Sequence, residues 1–193
     1  MSSRLPPNID VVFKTSTEVQ SADMRSGSTS SPSPQCEPAH YTYCIQFRIA
    51  DETGQDFRVI DHAVKGTSDI WEVTSLTTFK LKMRGGGTSG SLLLSNSKSS
   101  ELFSVAAGMH NDKPWCDIVV DVPDNALAQL ITNSYYESRP GRFSANSDKN
   151  ETTSSRGTII SLTISDLQWD GERIATVLIR NRGQISTSAP PPD

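Results

Sequence analysis

The chain has 193 residues, with 22 acidic against 18 basic side chains, a net charge of -4 and a sequence pI near 5.4. That length holds one domain with a sizeable core. The mild negative balance, with no Lys/Arg cluster to override it, argues against a partner chosen by general electrostatics, such as a nucleic-acid backbone or an anionic membrane.

The segment 1–40 opens on Met1-Ser2-Ser3-Arg4-Leu5-Pro6-Pro7, one basic residue with no apolar run behind it. No secretory leader is visible, and the expected location is cytoplasmic. Five of the 11 prolines fall before residue 41 and three close the chain, whereas only one of 13 aromatic residues, Phe13, precedes Tyr41. Residues 15–38 are rich in Ser, Thr and Pro and poor in large apolar groups, so they cannot bury enough surface to offset their ordering entropy. The chain therefore reads as a disordered extension (1–40), a folded domain (41–182) and a disordered tail (183–193).

Within the domain the period is two. Tyr41, Tyr43, Ile45, Phe47 and Ile49 alternate with polar residues, as do Phe79, Leu81 and Met83 with Lys80 and Lys82. Further strands are expected at 57–61, 91–95, 102–106, 116–122, 158–165 and 173–180, with turn signals at Gly85-Gly86-Gly87, Asn96, His110-Asn111-Asp112 and Asp170-Gly171. Asp170-Gly171 reads as the turn of a hairpin. One stretch differs: Leu127, Leu130, Ile131 and Ser134 fall at helical spacing over 124–136, with Asp124 as N-cap. About eight short strands and a helical connection predict a mainly β, two-sheet β-sandwich. The longest aliphatic stretches, such as Ala175-Thr176-Val177-Leu178-Ile179, are too short to span a bilayer.

Cys36, Cys44 and Cys116 are too few for a disulfide scaffold and hold no Cys-x-x-Cys pair, so they read as reduced thiols. Asn150-Glu151-Thr152 matches a glycosylation sequon, a modification that needs a secretory route. Gly85-Gly86-Gly87-Thr88-Ser89-Gly90-Ser91 fails as a phosphate loop, because Ser91 stands where Lys belongs, and as a nucleophile elbow, because the closing glycine is missing. It reads as a glycine turn that lets a ligand approach the backbone. Met109 to Asp117 gathers Asn111, Asp112, His110 and Trp115, donors, acceptors and an aromatic face of the kind that grips a polyhydroxylated ring. A tight turn beside a buried Trp115 would use the same residues. His110 has no second His or Cys at ligand spacing, so no metal is expected, and neither a Ser/His/Asp order nor a carboxylate pair suggests catalysis.

The turn Arg84-Gly85-Gly86-Gly87-Thr88-Ser89-Gly90-Ser91-Leu92, followed by Phe103, Ala106-Ala107-Gly108-Met109-His110-Asn111 and Lys113-Pro114-Trp115-Cys116-Asp117-Ile118-Val119, resembles the fungal fruit-body lectin family. Trp71-Glu72-Val73 and Tyr135-Tyr136 are similar too, and the resemblance runs from about Tyr41 to Asn181. It implies an actinoporin-like β-sandwich whose sheets are joined by a helix-loop-helix segment. It further implies a cytoplasmic, commonly homotetrameric lectin without metal or catalysis. Two sugar sites per subunit are implied, one for galactose-β1,3-N-acetylgalactosamine (the T-antigen disaccharide) and one for N-acetylglucosamine.

Carried over residue by residue, the disaccharide site is similar at Gly87, His110 and Asn111, but Gly86 stands where the family has serine. One lost hydroxyl contact weakens binding by roughly 0.5–1.5 kcal/mol. For N-acetylglucosamine, Asp117 and Ile118 match, Val120 replaces a threonine, and Arg142 or Arg139 takes the place of an arginine; a tyrosine further on has no counterpart between Ser144 and Gly157. The leading expectation is a multivalent, defensive lectin whose partners are cell-surface glycans and further copies of itself. The alternatives are a membrane-active protein of the actinoporin type and an interaction protein that kept the fold and lost sugar binding. The Ser/Pro-rich N-terminus has little helical moment to support the first of these.

Overall fold

Strand alternation builds the larger of two sheets. The computed structural model describes residues 41–66, 69–96, 98, 100–137, 147–166, 168 and 171–183, all within the unit Ala39–Asp193. The disorder expected for 1–40 and for 184–193 falls outside these residues, as do Arg139, Arg142, Trp169 and Asp170. Ten strands and one helix are present among the described residues: β1 (Tyr43–Asp51), β2 (Phe57–Val64), β3 (Ile70–Val73), β4 (Thr78–Met83), β5 (Thr88–Asn96), β6 (Glu101–His110), β7 (Lys113–Val119), α1 (Ala128–Glu137), β8 (Lys149–Thr153), β9 (Thr158–Ile164) and β10 (Glu172–Asn181). They form a six-stranded sheet, β3-β4-β1-β10-β9-β8, and a four-stranded sheet, β2-β5-β6-β7. Among the described residues only β1 and β10 run parallel; the other pairs are antiparallel.

The sheets pack face to face. Ile45, Phe47, Leu81, Ile160, Leu162, Val177 and Ile179 of the larger sheet meet Leu92, Leu94, Phe103, Val105, Met109 and Ile118 of the smaller in one core. The outer face of the larger sheet is wet and carries ion pairs, Lys80–Glu172 at 2.7 Å and Lys82–Glu72 at 2.5 Å. Its four inner strands, β4, β1, β10 and β9, therefore alternate apolar and polar residues. β6 is buried from Glu101 to Met109, because α1 and the segment before it cover the smaller sheet's outer face.

Three expectations change. The strand count is ten rather than about eight: β8, Lys-Asn-Glu-Thr-Thr, has no apolar alternation, and β3 has only four residues. The helix starts at Ala128, not Asp124, and its cap comes from another element: the Asp61 carboxylate on β2 accepts the Ala128 N–H at 2.8 Å. Asp124 is exposed in the preceding turn. The buried stripe is Ala128, Thr132 and Tyr135, while Leu127 and Leu130 point outward, 55% and 63% exposed. Small polar groups set this rotation: the Ser91 hydroxyl of β5 hydrogen-bonds Thr132 at 2.6 Å and donates to the Ala128 carbonyl at 3.2 Å, which draws the backbones together.

Candidate functional site

The two segments singled out from sequence lie side by side at one end of the sandwich. Asn111 and Asp112, with φ of 49° and 60°, form the two-residue loop joining β6 to β7, a conformation that Asn and Asp tolerate better than other side chains. The glycine turn joins β4 to β5, and the Gly87 N–H donates to the Met109 carbonyl at 2.7 Å, which locks this turn against the end of β6. Gly87 holds φ of 82°, where a side chain would be strained.

Other contacts fix the geometry from behind. The Arg84 N–H donates to the Asp69 carboxylate at 3.0 Å, the Thr42 hydroxyl to the Arg84 carbonyl at 3.0 Å, and the Thr88 hydroxyl to the Gly85 carbonyl at 2.7 Å. Tyr43 of β1 donates its hydroxyl to the Asp112 carboxylate, tying the β6–β7 turn to the larger sheet. That bond, with some burial and the nearby negative charge, holds the Tyr43 hydroxyl above the usual tyrosine pKa. Gly86, Gly87 and Asn111 are exposed, and His110 is half-buried. A Cβ added at Gly86 would meet nothing within 4 Å. The four residues expected in the disaccharide site are therefore brought together. Asn111 presents an amide that both donates and accepts, with its neighbour Asp112 already engaged by Tyr43.

Beneath this end, glycines permit close approach. A Cβ at Gly108 would lie 2.4 Å from the Thr88 carbonyl oxygen and 2.9 Å from Trp115 Nε1. Tyr136 hydrogen-bonds Ser89 through its hydroxyl at 2.8 Å and lies under the Lys65 ammonium, 4.9 Å from the ring centroid.

The residues expected for N-acetylglucosamine do not converge in the same way. β7 alternates: Cys116 and Ile118 enter the sandwich core and Val120 packs against it, whereas Trp115 and Asp117 face the helix side. Asp117 is buried, and its two carboxylate oxygens accept from the Tyr135 hydroxyl at 3.0 Å and the Asn150 side-chain amide at 2.9 Å. The side chains of Ile118 and Val120 thus lie on the face opposite Asp117, and Arg142 is outside the described residues. The alternation in the sequence would have separated Asp117 from Ile118; nothing in it pointed to Tyr135 or Asn150 as partners, since those contacts cross from α1 and β8.

Burial pushes the Cys116 thiol up to about 12, and burial with the Glu172 carboxylate pushes Cys44 to about 11, so neither carries thiolate character near neutral pH. Among the described residues no cluster of three metal-ligating side chains occurs, and no helix is long and apolar enough to cross a membrane.

Known proteins are similar to this chain in sequence and in fold. The profile described as Fungal fruit body lectin matches residues 41–170. Boletus edulis lectin is 39% identical over 108 residues, which span 53% of this chain and 73% of that protein. Wild-type Xerocomus chrysenteron lectin XCL superposes with a TM-score of 0.64 at 25% identity, covering 71% of this chain and 98% of the other, and a crystal structure of an XCL variant gives 0.64 at 26%. The matched segment contains both turns and the β7 strand that follows them, and on these grounds the chain belongs to the fungal fruit body lectin family.

Proposed function

We propose that this protein binds galactose-β1,3-N-acetylgalactosamine glycans, without transforming them, through the surface made by Gly86-Gly87 and His110-Asn111. The observation that carries this reading is the Gly87–Met109 hydrogen bond of 2.7 Å. It sets an open stretch of backbone beside the exposed Asn111 amide, and an adjacent pair of donor and acceptor groups suits the vicinal hydroxyls of a sugar. The relatives named above are lectins by name, which supports the carbohydrate class.

With glycine at 86 the site offers backbone where the family offers a hydroxyl. Affinity per site is then weak, and biological effect comes from several sites acting together on a glycan-coated surface, in a defensive role against animals or microbes that feed on the producer. N-acetylglucosamine at Asp117 is the second reading. Asp117 is a carboxylate, the kind of group that accepts from sugar hydroxyls, but its burial and its bonds to Tyr135 and Asn150 leave less of it for a ligand.

A glycan array probed with the protein and with Asn111→Ala tests both. Binding to galactose-β1,3-N-acetylgalactosamine that is lost in the variant supports the proposal. Binding confined to N-acetylglucosamine glycans and untouched by the variant moves the site to Asp117. No binding at high protein concentration, with dye release from liposomes, favours the membrane-active alternative instead.

A further inference from the structure

The fold brings two lysines, remote from each other in sequence, to one face of the smaller sheet at the end that holds the candidate sugar surface. The Lys65 N–H donates to the Ser89 carbonyl at 2.8 Å, one residue past the end of β2, and Ser89 lies opposite Gly108 of β6. The Lys65 ammonium stands over the Tyr136 ring, which places it on the side covered by α1. On β6 and β7, Ala106 and Trp115 pack with Tyr135 on that same side. Alternation then puts His110 and Lys113, which face each other across the β6–β7 pair, on it too. One strip therefore runs from Lys65 over Ser89 and Gly108 to His110 and Lys113, across three strand spacings or about 14 Å. Along β5, Ser89 is two residues, about 7 Å, from Gly87, so the middle of the strip borders the glycine turn.

The Lys65 ammonium is held in place, 4.9 Å from the centroid of a ring whose hydroxyl Ser89 fixes at 2.8 Å. Among the described residues neither Lys65 nor Lys113 has a carboxylate at ion-pair distance, unlike Lys80, Lys82 and Arg180, which are paired. The acids that brace the two turns are engaged within the protein: Asp69 accepts the Arg84 N–H and Asp112 the Tyr43 hydroxyl. Glu137 ends α1 beside Tyr136 and is exposed, without an ion pair to Lys65. In a chain of net charge -4, this strip carries positive charge that no acid of the protein neutralises by contact. A neutral sugar would leave that charge unused.

We infer that the glycan taken by this surface bears a sulfate ester, met by the Lys65 ammonium, with Lys113 adding positive charge at the far end of the strip. The inference rests on the sugar reading proposed above and names a substituent that reading does not specify. The kind of cation favours sulfate over a carboxylate. A planar carboxylate is matched by the parallel N–H groups of an arginine, whereas an ammonium is a point charge with three divergent donors and suits a tetrahedral group. Arg84, the arginine of the glycine turn, is turned away from the strip: it lies 5.7 Å from the Tyr41 ring, on the larger sheet's side with Lys82. Because the Tyr136 ring already positions Lys65, little side-chain freedom is lost on binding.

The test is isothermal titration of the full chain with galactose-β1,3-N-acetylgalactosamine, its sulfated forms and a sialylated form, at low and at physiological salt. Lys65→Gln, Lys113→Gln and Lys65→Arg are compared with Lys149→Gln, which changes an exposed lysine on β8 at the far edge of the larger sheet. Circular dichroism checks that each variant is folded. The expected result is a sulfated form that binds about 3- to 10-fold more tightly than the neutral disaccharide, a gain that shrinks as salt is raised. Lys65→Gln brings the ratio of the two affinities close to one and Lys113→Gln lowers it in part, whereas Lys65→Arg and Lys149→Gln preserve it. A wild type that binds neutral and sulfated disaccharides alike overturns the inference and leaves the sugar reading standing. A preference that survives in Lys65→Gln overturns it too, as does an equal gain from the sialylated form, which would show that charge alone is read. If no disaccharide of any kind binds, the sugar reading falls and the sulfate assignment falls with it.

Discussion

Replacing Gly86 by serine is the sharpest test of the proposed sugar surface, because the structure separates what the side chain would do from what the backbone allows. Gly86 has no left-handed φ, and an added Cβ meets no atom within 4 Å, so Gly86→Ser costs the fold little. The new hydroxyl would be carried by the exposed turn that the Gly87–Met109 hydrogen bond of 2.7 Å holds against the end of β6. One additional hydrogen bond to a bound sugar contributes roughly 0.5–1.5 kcal/mol, which corresponds to about a 2- to 12-fold lower Kd. Isothermal titration with the free disaccharide measures this directly, and a thermal melt confirms that the fold is unchanged. Gly87→Ser is the control. Its φ of 82° would force a side chain into the left-handed region. That costs about 1–2 kcal/mol of stability and brings no gain in affinity. A Gly86→Ser protein with native stability and unaltered or weaker disaccharide binding would refute the assignment of this turn to the site.

Other substitutions probe the scaffold. Gly108→Ala puts a methyl 2.4 Å from the Thr88 carbonyl oxygen and 2.6 Å from the Ser89 Cβ, so urea unfolding should show a loss of roughly 1–3 kcal/mol or an altered β5–β6 end. Asp61→Ala removes the cap of α1 and should cost ~1 kcal/mol, whereas Asp124→Ala, at an exposed turn, should cost under ~0.5 kcal/mol; equal costs would contradict the observed cap. Tyr43→Phe frees the Asp112 carboxylate and loosens the turn bearing Asn111, so disaccharide affinity should fall while the melting temperature moves little. The Cys116 thiol titrates near 9 when unfolded and about 12 when folded. The unfolded chain therefore gives up its proton first, and stability is complete below pH ~9 and declines as pH rises toward 12. Cys116→Ala should flatten that alkaline decline in a pH series of denaturant melts; an unchanged slope would show that the thiol is not protected by folding.

The division between what was legible in the residues and what was not follows the number of covered faces. Where one face is wet, as in β1, β4, β9 and β10, apolar and polar residues must alternate, and Ile45-Gln46-Phe47 or Leu162-Thr163-Ile164 disclosed both the strand and its inward side. β6 is covered on both faces, so its run of buried residues identified a strand but not which side faced which layer. β8 is polar throughout and exists because β9 offers it an edge, a long-range pairing without a local trace. The helix was legible as a helix, but not its orientation: local spacing favoured Leu127 and Leu130 as the buried side, and the contact of Ser91 with Thr132 decided otherwise.

The site divides in the same way. Its residue types stood in the sequence, as a glycine run and a His-Asn-Asp turn 25 positions apart, from Gly85 to His110. The chain by itself determined that each would be an exposed bend, because glycine and Asn-Asp accept backbone angles that other residues resist. Only the tertiary structure decided that the two bends form one surface. The antiparallel register of β5 on β6 sets Thr88 opposite Met109, and Asp69 and Tyr43, remote in sequence, brace the two turns from behind. Register is a cooperative property of whole strands, fixed by which faces are buried, and no pair of local motifs specifies it alone.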